Sequence, residues 1–308
     1  MILVTGATGF VGKYLCEELT SLGVEHIGLT RSGQNLEKRK VSCDLTNPDS
    51  LRILDDYEIT DVVHLASVIP AKLRRPSGTE YFETNTIGTL NLVNYLQNRR
   101  INRFIFSTTL YEVIEHSEMP IRESMGRSFS YEGDHALYVN SKIAATDILN
   151  HFASNSSFNL TILRFTGLLG YGRQEGHWRD GVFHKSAFET FYENATTGKN
   201  LEVWGTGKTK RDSLYVRDAV GAILKSIYVD TPSGATFNIA SGNPSTVLQE
   251  VKVFQQVFPK AKIIWKADQV TQPKEYYFDI SKASKYLNWK PKYDFKSIIE
   301  DYHRTRIS

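Results

Sequence analysis

Tyr138 and Lys142 stand four apart in Tyr138-Val139-Asn140-Ser141-Lys142, downstream of a glycine-rich start, Gly6-x-x-Gly9-x-x-Gly12. That spacing puts a phenol and an ammonium on one helix face, about one turn from each other. A free phenol has a pKa near ~10 and is a poor acid–base catalyst at neutral pH, whereas an adjacent ammonium favours the phenolate and lowers that value. The pair reads as a proton relay for carbonyl and alcohol chemistry. The glycines follow the short apolar run at residues 2 to 4 and open a helix, the context in which a backbone approaches a pyrophosphate at a helix N-terminus. The plain alternative for the same glycines is a tight strand-to-helix turn.

The elements that position these groups are legible as a rhythm. Short apolar runs near residues 2 to 4, 25 to 30, 61 to 66, 102 to 107 and 160 to 164 alternate with longer stretches of helical period. This is the signature of parallel strands joined by crossover helices. In the first helix Phe10, Val11, Tyr14, Leu15, Glu18, Leu19 and Leu22 form a mostly apolar stripe, and Gly23 supplies the stop. After about residue 165 the rhythm weakens into a Gly-, Arg- and aromatic-rich stretch. The expected architecture is α/β, a Rossmann-type doubly wound parallel sheet with a smaller C-terminal α/β substrate lobe. Residues 1–165, with returning segments from about 212–240, form the nucleotide-binding domain, and the remainder of 166–308 the substrate lobe.

With 308 residues, 41% of them hydrophobic and 23% charged, the chain can bury a full core as one large domain or two intimate ones. No apolar run approaches the ~18 residues that span a bilayer, and Met1 leads straight into Ile2-Leu3-Val4 without a basic region, so a cytoplasmic location without membrane contact is expected. Two cysteines, Cys16 and Cys43, support neither a disulfide framework nor a zinc site, and no metal is expected. A net charge of +3 with only short pairs such as Arg74-Arg75 and Arg99-Arg100 argues against nucleic acid as a partner.

At the cofactor end, the second strand closes on Thr30-Arg31-Ser32, where an acidic side chain would select the ribose 2′-hydroxyl of NAD. Thr30 and Ser32 can donate hydrogen bonds and Arg31 can pair with a 2′-phosphate, so NADP is expected ahead of NAD. The competing reading of Arg31 is a solvated loop residue. Asp44 can accept from an adenine amino group or cap the following helix. His64, on an apolar strand, reads as a satisfied core histidine. The expected cofactor contacts are Gly6, Thr8, Gly9, Phe10, Val11, Gly12, Arg31, Ser32, Asp44, Leu45, Leu65, Ala66, Ser67, Asn85, Thr108, Tyr138, Lys142 and Phe165.

The motifs VTGATGFVG, CDL, DVVHLAS, NTIGTLNLV, FIFSTT, YVNSK, LRFTGLLGYG, LEVWGTGKTKRDSLYVRDAV, FNIASGNPST and DISKASKYLNWKP occur in this order. Taken together the set resembles the extended short-chain dehydrogenase/reductases, the NAD-dependent epimerase/dehydratase group that acts on nucleotide sugars. The resemblance covers essentially the whole chain and implies a catalytic triad of Thr109, Tyr138 and Lys142, with Thr108 in place of Thr109 if the register slips by one. Dehydratases of this group follow the catalytic Thr with an Asp-Glu pair, where this chain has Leu110-Tyr111, so water elimination is not expected. The group often carries Asn where this chain has Gly167, and a basic anchor near the C-terminal strand where it has only Gln269, Gln272 and Lys274. Substrate contacts are expected from Thr109, Gly167 and Arg211. Arg211 is either the partner of a substrate diphosphate or a surface residue paired with Asp212.

The resemblance implies hydride transfer at a sugar carbonyl or hydroxyl of a nucleoside-diphosphate sugar. The apparent 2′-phosphate site favours a 4-keto-6-deoxyhexose 4-reductase over a 4-epimerase. A non-catalytic dinucleotide-binding module is the alternative of another class. A homodimer is expected from apolar surplus on the helix carrying Tyr138 and Lys142 (Ile143, Ala144, Ile148, Leu149, Phe152) and on residues 81 to 98 (Ile87, Leu90, Val93, Leu96).

Overall fold

The computed structural model describes residues 1–31, 39–74, 77–133, 135–155, 158–173, 175–179, 181–268 and 274–307. Ile2–Thr5 (β1) is buried at every position, as a strand covered by helices on both faces must be. It pairs in parallel with His26–Thr30 (β2) on one side and Asp61–His64 (β4) on the other. Lys40–Ser42 (β3), Arg103–Thr109 (β5), Asn159–Phe165 (β6) and Ala235–Ile239 (β13) complete a parallel sheet of seven strands in the order β13-β6-β5-β4-β1-β2-β3. This is the doubly wound α/β sheet read from the sequence. The strand order reverses between β1 and β4, the place where open α/β sheets leave a ligand crevice beyond their strand ends.

Successive strand residues point to opposite faces, and the core divides accordingly. On one face Val4, Val63, Ile105, Leu163 and Phe237 pack under α1 (Phe10–Ser21) and α6 (Val216–Tyr228). On the other, Leu3, Val62, Phe104, Phe106 and Leu160 meet a helical run and α4 (Ala136–Asn155). The run is α2 (Thr79–Tyr81), a π-helical stretch Phe82–Ile87 and α3 (Gly88–Leu96). α1 ends where Gly23 turns to φ 68°, a conformation that costs glycine little.

Beyond Phe165 short strands pair across long sequence gaps. β7 (Gly167–Leu169) lies parallel to β12 (Ser213–Tyr215), and β8 (Gly176–Arg179) and β9 (Val182–Lys185) form a hairpin. β10 (Leu201–Trp204) pairs with β15 (Ile263–Lys266), and β11 (Lys210–Arg211) with β14 (Ser245–Thr246). α5 (Ala187–Thr196), α7 (Val247–Val257) and α9 (Phe295–Ile307) enclose a separate cluster around Phe191, Tyr192, Val203, Phe254 and Tyr302. α8 (Ser281–Leu287) returns to β13.

The apolar surplus expected on the two helical segments is largely taken up within the chain. Val93, Leu96 and Leu149 are core residues, with Leu90, Ile148 and Phe152 packed against them. Phe82, Ile87 and Leu137 remain exposed. Among the described residues no helix is long and apolar enough to cross a membrane, and no group of three or more His, Cys, Asp or Glu side chains gathers as a metal set.

Candidate active site

The glycine loop is shaped by close approach. Gly6 has φ 68°, and a Cβ there would stand 2.7 Å from the Ala66 amide nitrogen. A Cβ on Gly12 would overlap the Gly6 carbonyl. The loop is thus wedged against Leu65 and Ala66 at the end of β4, where the Ala66 amide donates to Thr5 Oγ1 at 3.1 Å. Gly9 is the N-cap of α1 in extended conformation and brings no side chain to its first amides. Those amides, with exposed Thr8 beside them, fit the pyrophosphate of a dinucleotide. Phe10 packs edge-on to Tyr14, and Val11 leans on the core.

At the far end of the crevice Thr30 is buried and Arg31 is exposed, while Ser32 lies outside the described residues. Exposed Asp44 accepts from the amide of Thr46 at 3.0 Å and its hydroxyl at 2.9 Å, a local turn that already employs the carboxylate. Leu45 is buried, against Gly88 at the start of α3.

The residues expected to move protons converge beyond the ends of β4 and β5. The Tyr138 phenol is buried, and the side chains of Thr109 and Ser67 lie near enough to favour its phenolate. Asn85, turned inward by the π-helical stretch, holds these parts together: its Oδ1 accepts from the Val68 amide (2.8 Å) and Ser67 Oγ (3.1 Å), and its Nδ2 donates to Ser141 Oγ (3.0 Å). Lys142 is almost wholly buried, its Nζ 4.1 Å from the centre of the Phe106 ring.

The electrostatics differ from the sequence expectation in one respect. Burial pushes the Tyr138 phenol up rather than down, although Thr109 pulls the other way. Burial also brings Lys142 down to about 7, partly opposed by Glu112. Both groups have lost water, and desolvation outweighs their neighbours' help. His64, pushed down to about 3 by burial and the Lys142 charge, is a neutral core histidine held by Thr5 Oγ1 (2.6 Å) and Thr89 Oγ1 (2.9 Å).

Thr108 points elsewhere than Thr109. Its hydroxyl donates to Glu112 Oε2 at 3.1 Å, and Glu112 Oε1 receives Arg164 Nε at 2.6 Å. Arg164 Nη1 reaches Asn238 Oδ1 at 3.0 Å. Sequence reasoning missed this row because its members are far apart in the chain; only a buried-strand arginine in LRFTG hinted at a partner.

Among the residues expected to meet cofactor and substrate, Phe165 closes β6 beside Thr109. Gly167 faces Ser213 across the β7–β12 pair, and a Cβ on it would come no closer to a neighbour than 3.6 Å, from Tyr276 Oη. Arg211 is exposed. The Asp212 carboxylate is buried and accepts from the Ser241 amide (2.7 Å), Ser241 Oγ (2.6 Å) and the Gly242 amide (3.1 Å). Arg211 acts on Tyr111 and Tyr276, and so does Arg173, which the sequence reading left without a role. Much of Arg173 is exposed as a residue, yet desolvation lowers its pKa against the pull of those two phenols. Lys274 is engaged by Glu115, and Gln269 and Gln272 lie outside the described residues.

The sequence and the fold are matched in known proteins. A profile of the NAD dependent epimerase/dehydratase family matches residues 2–240. The chain belongs to that family. Within it, UDP-glucuronic acid decarboxylase 1 of Arabidopsis thaliana is 26% identical over 317 residues, covering 99% of this chain and 70% of the relative. A UDP-N-acetylglucosamine 4-epimerase from Bacillus cereus superposes with a TM-score of 0.81 at 25% identity, over 100% of this chain and 96% of that one. A Bacillus cereus UDP-glucuronic acid 4-epimerase, solved with UDP-glucuronic acid and NAD, shares the fold at a TM-score of 0.78 and 22% identity, over 100% and 99%. This chain is thus a member of an NAD-dependent enzyme family, built on the parallel sheet described above.

Proposed function

We propose that the protein is a UDP-sugar 4-epimerase that oxidises and re-reduces carbon 4 of the hexose with NAD. The observation that carries this is Tyr138 and Lys142 buried together on α4, with Thr109 acting on the Tyr138 phenol, at the rim of the glycine crevice. When bound, NAD supplies the hydride acceptor and donor. Thr109 orients the reacting sugar oxygen, Tyr138 takes and returns its proton, and Lys142 provides the positive charge for the nicotinamide ribose. Phe165 and the small residues at Leu65–Ser67 wall the nicotinamide end. Arg211, with Arg173 near it, supplies positive charge for the diphosphate, and Gly167 leaves room beside the hexose.

Elimination of water is disfavoured because Leu110 and Tyr111 follow Thr109, and the next carboxylate, Glu112, is already bonded to Thr108 and Arg164. The 4-reductase expected first from the sequence rested on a 2′-phosphate site. Among the described residues its support is an exposed Arg31, and the reading gives way to epimerisation, and NADP to NAD, in keeping with the family. We propose also that the chain works as a homodimer through the helical run 79–96 and α4.

The test is to incubate the protein with NAD and a panel of UDP-hexoses and UDP-hexuronates, following carbon-4 configuration by proton NMR. Interconversion of 4-epimers with no net cofactor consumption supports the reading. Stoichiometric oxidation of NADPH by a 4-keto sugar would replace it with the reductase, and release of carbon dioxide from a uronate with a decarboxylase.

A further inference from the structure

The row formed by Thr108, Glu112, Arg164 and Asn238 is a charged structure in the interior with no duty in the reaction as described. Thr108, Arg164 and Asn238 are cross-strand neighbours on β5, β6 and β13. They share the parity of Phe106 and Ile162, which places them on the sheet face covered by α4. Glu112 ends a single 3-10 turn, Leu110–Glu112, that starts directly after Thr109. All four side chains are buried: Glu112 is 3% exposed, Arg164 6% and Asn238 0%. The far end is fixed as well, since Asn238 Nδ2 donates to the carbonyls of Ile121 (3.0 Å) and Asp279 (3.2 Å).

A buried ion pair of this kind is seldom kept for stability, because desolvation offsets most of its attraction and an apolar pair of equal volume does as well. Its position offers another reason. The 3-10 turn that carries the carboxylate packs against α4, and its charge acts on both Tyr138 and Lys142. The other titratable groups around Lys142 are few. His64 on β4 is neutral, Tyr138 is on the same helix, and β5 contributes only Phe106 and Thr108. Arg164 of β6 is bonded to Glu112, and Arg127, held by Asp147 of α4, also feels the Glu112 charge. Glu112 is therefore the one carboxylate among the described residues whose charge supports the Lys142 ammonium.

We propose that Glu112 is a positioning residue for the Tyr138–Lys142 pair: its buried carboxylate keeps Lys142 an ammonium and, through Thr108, fixes the end of β5 that carries Thr109. The role of the pair rests on the function proposed above, but the charge relation does not, so it can be read without turnover. With lysine labelled at 13Cε, the Lys142 resonance, assigned by its loss in Lys142→Met, reports the protonation of that one side chain.

In Glu112→Gln the Lys142 midpoint should fall by about one pH unit, as expected when a nearby opposite charge is withdrawn. Because that variant leaves Arg164 unpaired, the double variant Glu112→Leu/Arg164→Leu is the companion; it withdraws a positive charge together with the carboxylate, so its fall should have the same direction and be smaller. Glu112→Asp keeps the charge and should leave the midpoint in place. Removing the carboxylate lowers Tyr138 and Lys142 alike, so the pH–activity profile of a charge-deleted variant should move to lower pH as a whole. A merely structural role would reduce activity at every pH without moving it. An unmoved Lys142 midpoint in Glu112→Gln, or in the double variant where the single one does not fold, overturns the proposal. Failure of the wild type to turn over any UDP-sugar would instead overturn the function.

Discussion

Burial brings Lys142 from the ordinary lysine value of 10.5 to about 7, which makes it a titrating group in the physiological range and gives a sign to its effect on stability. Below pH 7 the ammonium is charged in both folded and unfolded chains, and the native state carries the whole desolvation cost. Between about 7 and 10.5 the native chain has released a proton that the unfolded chain still holds, so stability rises with pH, by up to about 1.4 kcal/mol per unit. Melting temperatures of wild type and Lys142→Met at pH 6.5 and 9.5 measure this: the wild type should gain on the variant as pH rises, and parallel behaviour would return Lys142 to an ordinary pKa. Tyr138→Phe keeps the helix and removes only the hydroxyl that meets Thr109 and Ser67. Its turnover should fall by about 10² to 10⁴ with NAD affinity nearly unchanged, and turnover near wild type would dismiss the proton relay. Arg31 decides the cofactor. With a 2′-phosphate beside it, Arg31→Asp would lose NADP selectively through charge repulsion, whereas an NAD enzyme with Arg31 in solvent should show equal, small changes in both dissociation constants.

The first βα unit shows how an element turns glycine into function. Gly12→Ala would press a methyl group into the Gly6 carbonyl, so the loop must open, with a loss of about 1–3 kcal/mol and a large drop in NAD affinity. Gly23→Ala at the other end of α1 is the matched comparison. Gly23 has φ 68° with nothing within 4 Å of an added Cβ, so the cost is conformational, about 1 kcal/mol, and cofactor affinity should stay unchanged. Equal losses of affinity in the two variants would mean that α1 merely became less stable. This unit was legible in the sequence because its signals are local: apolar run, glycine spacing, helical stripe and stop all fall within residues 2 to 23. The Tyr138–Lys142 spacing was legible for the same reason. The depressed Lys142 and raised Tyr138 were not, since desolvation depends on the β-strands that cover them. Nor were the Glu112–Arg164 contact, 52 residues apart, or the approach of Tyr276 to Gly167, which depend on which strands lie side by side. Asn85 was expected at the cofactor, but the π-helical stretch that turns it inward has no pattern of its own.

For the whole molecule the open issue is association. The sequence argument for a dimer counted apolar residues on residues 81 to 98 and on the helix of Tyr138, yet Val93, Leu96 and Leu149 are in the core. Their burial follows from the sheet face that both segments cover, so a helix apolar on a broad arc is satisfied within the chain. What remains for a partner is narrower: Phe82, Ile87 and Leu137, exposed by 36%, 45% and 47%. A stable pair buries roughly 800 Å² per partner, several times the area of three half-exposed side chains, so polar neighbours would have to make up the rest. An interface built this way should be sensitive to a single charge at its apolar centre. Ile87→Asp should then shift the chain toward the 35.0 kDa monomer at micromolar concentration in sedimentation equilibrium, while wild type sediments as twice that mass. The same variant should fold normally, because Ile87 is not part of either sheet core. A wild type that sediments at monomer mass would reject the dimer and leave Phe82, Ile87 and Leu137 as ordinary exposed apolar side chains.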